Sequence, residues 1–522
     1  MSHPTSTPPK MKPNTNDPTN ESSPSTETAP TATSSQLTLL QALTPPPLLP
    51  RKIQTPLSRA HSQLEAMLQK NQQQQQQANI NPSPIWNLSW SMDGSILASA
   101  HGTPDPCIRL WKKTALPPLS STENGRSGEE KEQDRIHWAL YATLRMEDDP
   151  STAQSSARTI RSVAFAPTPP NVRHMLAAAG FDGSIVLWED FGESDDSNDE
   201  DDWKEDYSAE ESLGPRGWEC TAQLEGHESE VKDIAWNTTG TLLASCGRDK
   251  AVWIWECFLA GTIGADGTGS GASQNALDQY RSGGAGGEGD FECVAVLSEH
   301  TGDVKCVKFA PSHDQWGDGD DILLSASYDD TIIVWAEDAG EWYGAVKIGG
   351  VHSSTIWSLG LYPGGVRMVS ASADASLAIW RCYTASEKRE MQQQQKSGDA
   401  KMYMETTEAS ALAFSGHAQD GLWKCVGTLP KAHDSVIYSV DCAPAKASHG
   451  RIVSGGADNA IHIYREVLTD SSTSEAPVFC LDATQEMAHD SDVNCVAWHP
   501  YNGAVLASAG DDGLIKLWNY IL

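Results

Sequence analysis

The chain has 522 residues, 39% of them hydrophobic, and a formal net charge of −33 at pH 7. That acidity argues against a nucleic-acid backbone or an anionic membrane as the main partner, because both repel it. No run of about 18 apolar residues is present, so no membrane-spanning helix is expected. The eleven cysteines include no C-x-x-C pair, which reads as a reducing intracellular setting.

Residues 1–34 are rich in Ser, Thr and Pro, lack an apolar signal-peptide core, and are expected to form a disordered tail. SQLTLLQAL (35–43) reads as a strand. From 44 to 84, through PPPLLP and the run Gln72–Gln77, a mostly disordered insertion is expected, with a short helix around Leu57–Leu68. Length alone favours three or four domains at about 150 residues each. The rest of the chain overturns that prior, because one unit recurs seven times. Its copies are LASAHGTPDPCIRLW ending at Trp111, LAAAGFDGSIVLW at Trp188, LASCGRDKAVWIW at Trp255, LLSASYDDTIIVW at Trp335, VSASADASLAIW at Trp380, VSGGADNAIHIY at Tyr464 and LASAGDDGLIKLW at Trp518. An Asp stands six residues before each final aromatic: Asp105, Asp182, Asp249, Asp329, Asp374, Asp458 and Asp512. Five copies are preceded by a His turn and an apolar strand opener (GHESEV, EHTGDV, VHSSTI, AHDSVI, AHDSDV); the first two lack that His.

The pattern resembles WD40 repeats, which implies an all-β, seven-bladed β-propeller forming one domain over 35–522. A Ser/His/Asp set such as His227, Ser245 and Asp249 with Trp255 invites a catalytic reading. Nucleophilic catalysis needs one activated serine, however, and here the set recurs as His300/Ser325/Asp329/Trp335, His352/Ser370/Asp374/Trp380 and His489/Ser508/Asp512/Trp518. The resemblance implies that these are buried structural networks. Tyr464 in the Trp position of blade 6 and Ala178 in the Ser position of blade 2 predict incomplete networks there.

The chain stops just after the third strand of blade 7, leaving an edge that needs a partner. Residues 35–43 are expected to supply it and close the ring. The other insertions (around Glu123–Asp134, EDFGESDDSNDEDDWKED, TIGADGTGSGASQNA, Ser386–Gly421 and the shorter SHDQWGDGDD) are expected to crowd one face. The opposite face then keeps mostly short turns and offers the better binding surface. There the residue after each strand opener surrounds the channel mouth: Trp86, Arg161, Lys232, Lys305, Trp357, Tyr438 and Asn494. Three cations and three aromatics form an unusual set in so acidic a chain, and such residues dominate interface energetics. Arg248, in the same face's turn, is not required by the fold, since the equivalent positions hold Phe181, Tyr328, Ala373, Ala457 and Asp511.

LEGHESEVKDIAWNTTGTLLASCGRDKAVWIWE (224–256) resembles the third blade of the WD40 proteins of cytosolic iron–sulfur protein assembly, with LLSASYDDTIIVW, HSSTIWSL and AHDSDVNCVAWHP in support. The resemblance covers all seven blades and follows the channel-mouth residues in order; the altered turn HGTPDP and the long insertions depart from it. It implies a non-enzymatic adaptor that helps hand clusters to cytosolic and nuclear apoproteins. Implied partners are a small adaptor subunit, a HEAT-repeat scaffold and a hydrogenase-like iron–sulfur carrier, with no direct contact to nucleic acid or membrane. The implied setting is the cytoplasm, with the nucleus for nuclear clients. It also makes Arg248 a functional surface residue; for the other seven the role rests on chemistry and placement alone. No cofactor or metal is expected. Cluster ligation needs converging thiolates, whereas Cys306 and Cys495 sit in apolar strands and Cys220, Cys293, Cys425 and Cys480 lie on different blades. A generic WD40 receptor, such as a ubiquitin-ligase recognition subunit, is the competing reading.

Overall fold

Seven four-stranded antiparallel sheets build the protein, and the computed structural model describes residues 35–46, 82–115, 136–145, 159–167, 173–192, 216–258, 290–314, 316–384, 386–387, 389–390, 422–444, 450–467 and 476–521. The readings of 1–34, of the glutamine-rich segment and of the acidic and glycine-rich insertions fall outside these residues. Six sheets are consecutive quartets of the 28 strands among the described residues; the seventh runs β1 (Gln36–Leu43), β28 (Ile515–Ile521), β27 (Val505–Gly510), β26 (Val493–Trp498). The inner strands are β2 (Ile85–Trp90), β6 (Ile160–Phe165), β10 (Val231–Trp236), β14 (Val304–Pro311), β18 (Ile356–Leu361), β22 (Ile437–Cys442) and β26 (Val493–Trp498).

Burial explains the strand sequences. The second strand of a blade, such as Ile96–His101 (ILASAH) or Met175–Gly180 (MLAAAG), is buried along its whole length. Such strands read as runs of small and apolar residues because another blade covers each face. The core therefore lies between blades; Ala177 and Leu187 of blade 2, for example, pack with Ile234 and Leu243 of blade 3. Outer strands are wetter, as in Trp218–Leu224, where Glu219, Cys220 and Gln223 are exposed.

The inner strands of neighbouring blades belong to different sheets, so side chains join them. The third residue of an inner strand serves the fourth residue of the next. Asn87 Oδ1 accepts from Val163 N (3.2 Å), Asp233 Oδ2 from Val307 N (3.2 Å), Ser358 Oγ from Val440 N (3.2 Å) and Ser439 Oγ from Val496 N (3.1 Å). The thiols of Cys306 and Cys495 pair in the same way with the backbone of Leu359 and Leu88. Between blades 2 and 3, Ser162 Oγ instead donates to Asp233 Oδ1 (2.9 Å). Burial of backbone donors demands such partners.

Ring closure follows the sequence reading. β1 (Gln36–Leu43) pairs antiparallel with β28 (Ile515–Ile521), from Gln36 opposite Ile521 to Leu43 opposite Ile515. A bulge between Leu39 and Gln41 frees the Gln41 side chain, which clasps Trp138 of blade 1: its Nε2 donates to the Trp138 carbonyl (2.8 Å) and its Oε1 accepts from Trp138 N (3.0 Å).

The recurring networks form as expected. In blade 3, His227 pairs with Asp249 (2.7 Å) and Ser245 (2.8 Å), and the Trp255 indole donates to Ser245 (3.0 Å). Blades 4, 5 and 7 repeat this through His300, His352 and His489, with indole–serine distances of 2.8 Å from Trp335 to Ser325, Trp380 to Ser370 and Trp518 to Ser508. Blade 2 is incomplete: Trp188 Nε1 has no partner among the described residues, since Ala178 faces it. One expectation needs correcting. Blade 6 is continuous, because the Tyr464 hydroxyl bonds Ser454 and His433 pairs with both Ser454 (2.7 Å) and Asp458 (2.8 Å). Blade 1, which lacks the turn histidine, rebuilds the set from its own strands. His101 meets Ser99 (2.9 Å) and Arg109 (2.8 Å), and Arg109 pairs with Asp105.

Candidate partner-binding surface

In every blade the pairing of first and second strands slips by one residue, and the slip falls on the second residue of the inner strand. A bulge of this kind re-aims its side chain. The seven bulge residues are Trp86, Arg161, Lys232, Lys305, Trp357, Tyr438 and Asn494, and all line one cavity of about 380 Å³ at the central channel. The sequence thus placed these seven correctly around one opening, although their common cause, the bulge, left no mark in it.

Their contacts form an almost continuous arc. The Arg161 guanidinium lies 5.1 Å from the centre of the Trp86 ring and donates to the Trp86 carbonyl (3.1 Å). Lys232 sits 4.4 Å from the Phe181 ring and 3.8 Å from Glu230. Lys305 lies 5.0 Å from Trp357 and 5.8 Å from Tyr328, and pairs with Asp303 at 3.0 Å. Trp357 meets Tyr438 edge-on at 5.1 Å, and Tyr438 bonds Asp492. Asn494 is the most buried of the seven; its amide donates to Ile85 O (3.1 Å) and Asp511 Oδ1 (2.6 Å), joining blade 7 to blade 1.

The electrostatics are uneven around the mouth. Burial lowers the pKa of Lys232, and the neighbouring Lys305 and Arg161 lower it further against the pull of Glu230 and Asp303. Burial likewise lowers that of Arg161, with Asp233 opposing. Blades 2–4 therefore concentrate positive charge, while Asp492 and Asp511 crowd the blade 7 side. Deeper in the channel, Lys308 is held above its ordinary value, with Asp233 and Asp441 outweighing the cost of burial.

Arg248 lies outside the channel, in the turn after the second strand of blade 3. Its backbone N donates to Glu230 O (2.9 Å), and its guanidinium pairs with the Glu230 carboxylate at 3.1 Å. Its side chain is 61% exposed, whereas Asp249 beside it is committed to His227. Glu230 serves both Arg248 and Lys232, and so connects the turn to the mouth. Sequence reasoning missed Glu230, and it noted Phe181 and Tyr328 only as variants of the Arg248 position. Those aromatics are where Lys232 and Lys305 rest.

Two connections on the channel-mouth face are longer than its short turns. Pro84 O accepts from Gly102 N (2.9 Å), and Thr159 O from Phe181 N (3.0 Å). Pro84 and Thr159, each the residue before an inner strand, therefore lie on the channel-mouth face.

The repeats match the family described as WD40: WD domain, G-beta repeat, at residues 73–112, 151–189, 218–256, 291–336, 346–381, 423–465 and 480–519, so the chain is a WD40 propeller. A Candida albicans protein named "Probable cytosolic iron-sulfur protein assembly protein 1" is 33% identical over 384 residues, covering 69% of this chain and 84% of the relative. Proteins of the same name from Botryotinia fuckeliana (31% over 328 residues, 58% of this chain) and Pyricularia oryzae (28% over 461 residues, 80% of this chain and 94% of the relative) also match. The match spans 65% of the length of the Botryotinia relative. Within the WD40 class, the chain belongs to the cytosolic iron-sulfur protein assembly protein 1 family.

Proposed function

We propose that this chain is a non-enzymatic adaptor of cytosolic iron–sulfur protein assembly, which helps deliver clusters to cytosolic and nuclear apoproteins. In this reading its partners are a small adaptor subunit, a HEAT-repeat scaffold, a hydrogenase-like iron–sulfur carrier and the apoprotein clients. The observation that carries it is the convergence of seven bulge residues on one channel mouth, with Arg248 joined to it through Glu230. Buried cations backed by aromatic faces suit a partner bearing carboxylates and aromatic side chains. The names of the relatives support the pathway.

The test is depletion of the protein, followed by assay of one cytosolic and one mitochondrial iron–sulfur enzyme, with rescue by wild type or Arg248→Glu. Loss of only the cytosolic activity, restored by wild type and poorly by the variant, supports the function and the surface together. Unchanged cytosolic activity after depletion overturns the function.

A further inference from the structure

Blade 6 departs from its neighbours at two positions that meet in space. Where blades 1–5 and 7 carry Arg109, Val186, Trp253, Ile333, Ala378 and Lys516, it carries His462, and two residues later Tyr464 stands where the others have Trp. His462 is buried beside His433, their rings perpendicular with centres 4.4 Å apart. Ligand atoms of His433, Asp458 and His462 all lie within 4.8 Å of one another, the only such trio among the described residues.

The outer partners of this trio have the arrangement that ligating histidines need, with the second ring nitrogen held from outside. His433 Nε2 faces Ser454 Oγ at 2.7 Å, and His462 Nδ1 faces Thr484 Oγ1 at 3.0 Å. That leaves His433 Nδ1, 2.8 Å from Asp458, and His462 Nε2 as the candidate donors.

The Tyr464 replacement bears on the tautomer. In the Trp blades the indole can only donate to the serine. In blades 3, 4, 5 and 7 the serine hydroxyl has only the indole and histidine Nε2 as partners among the described residues, so its hydrogen goes to Nε2 and the histidine proton sits on Nδ1, facing Asp. A phenol can accept as well as donate. Ser454 can turn its hydrogen to Tyr464 and accept a hydrogen bond from His433 Nε2–H, which exposes the Nδ1 lone pair toward Asp458.

We propose that blade 6 holds a divalent ion of the zinc class between His433 Nδ1, the Asp458 carboxylate and His462 Nε2, with water completing the shell. Two imidazoles and a carboxylate suit zinc, at bond lengths of about 2.0–2.2 Å. Binding widens the 2.8 Å contact between His433 and Asp458 to a ligand–ligand spacing of about 3.3 Å and brings His462 in from the other side.

The test uses the full chain, stripped with chelator and titrated with Co²⁺, whose visible bands report tetrahedral N/O ligation, followed by displacement with Zn²⁺. Two variants fit solutions already present in other blades: His462→Ala reproduces Ala378 of blade 5, and Tyr464→Trp restores the indole. Wild type is expected to take up one equivalent with visible bands and to melt at higher temperature with Zn²⁺. Both variants are expected to fold, as read by circular dichroism, and to lose that equivalent and the Zn²⁺-dependent shift. Absence of the bands in wild type, or their retention in either folded variant, overturns the proposal.

Discussion

At the scale of single residues, Ala178 and Arg248 illustrate opposite situations. Ala178 sits where the other blades place a serine, and the buried Trp188 indole lacks an acceptor among the described residues as a result. Its register partner is Val186, just as Ser99 of blade 1 opposes Arg109 and donates to the Arg109 carbonyl (3.2 Å). Ala178→Ser therefore has an outlet for its own hydrogen and should stabilise the protein by about 0.5–1.5 kcal/mol. A thermal or urea midpoint at or below wild type would show that the hydroxyl strains the blade instead. Arg248, by contrast, is exposed, and its ion pair with Glu230 is worth at most about 1 kcal/mol in solvent. Arg248→Glu should move the melting temperature by no more than about 2 °C while weakening partner capture. A large fall in melting temperature would reveal a structural role. The network serines and histidines were legible because they recur. Tyr464 misled because a list of residue types does not say that a phenol can stand in for an indole.

At the scale of elements, β1 carries the clearest consequence. Leu43 is 2% exposed and packs among residues of blades 1 and 7, Trp111 and Leu517 among them. Leu43→Ala should cost about 2–5 kcal/mol, far more than truncating the exposed Leu40 of the same strand. Equal midpoints for the two variants would mean that the strand is not held as described. This clasp was legible, since an unfinished last blade requires a fourth strand and the chain offers only one suitable segment before blade 1. The loop between the first two strands of blade 4 was not read as deeply. SHDQWGDGDD looks like a polar insertion, yet Trp316 within it is 1% exposed and packs with Trp380 and Trp423 of blade 5. Gly317 beside it has φ +63, and a Cβ there would lie 1.7 Å from Glu337 O. A tryptophan in an otherwise polar, glycine-rich stretch was the available signal.

For the whole molecule, the repeated aspartates set the response to acid. Asp249, Asp329, Asp374 and Asp512 are half-buried, which opposes ionisation, but hydrogen bonds from the blade histidines hold each below its ordinary value of 3.8. A group with a lowered pKa contributes stability that is present above the unfolded value and is lost as pH falls through the folded one. Stability should therefore drop steeply below about pH 4. Asp441 acts in the other direction, because burial in the channel raises it to about 6. Its protonated form is favoured by folding, so its contribution is full below 3.8 and disappears as pH rises to 6. Melting temperatures measured from pH 3 to 7 should show a shallow decline between 4 and 6 in wild type that Asp441→Asn removes. An unchanged slope in the variant would exclude Asp441 as its source. The seven-fold plan behind this was legible from the repeats. The side-chain belt between inner strands was not, because Asn, Ser, Asp and Cys at one position share a hydrogen-bonding role that composition does not display.

The closing strand also imposes an order on biosynthesis. Thr38 and Asn519, bonded across the clasp, are 481 residues apart in sequence. At roughly 5–20 residues per second, a ribosome needs about 25–100 s to make the chain between them. Throughout that interval Leu37 and Leu43 have no mate, and each new blade leaves the tunnel with one flank bare. Of all the blades, only the last receives its outer strand ready-made, and the nascent ring must be shielded from its own kind until then.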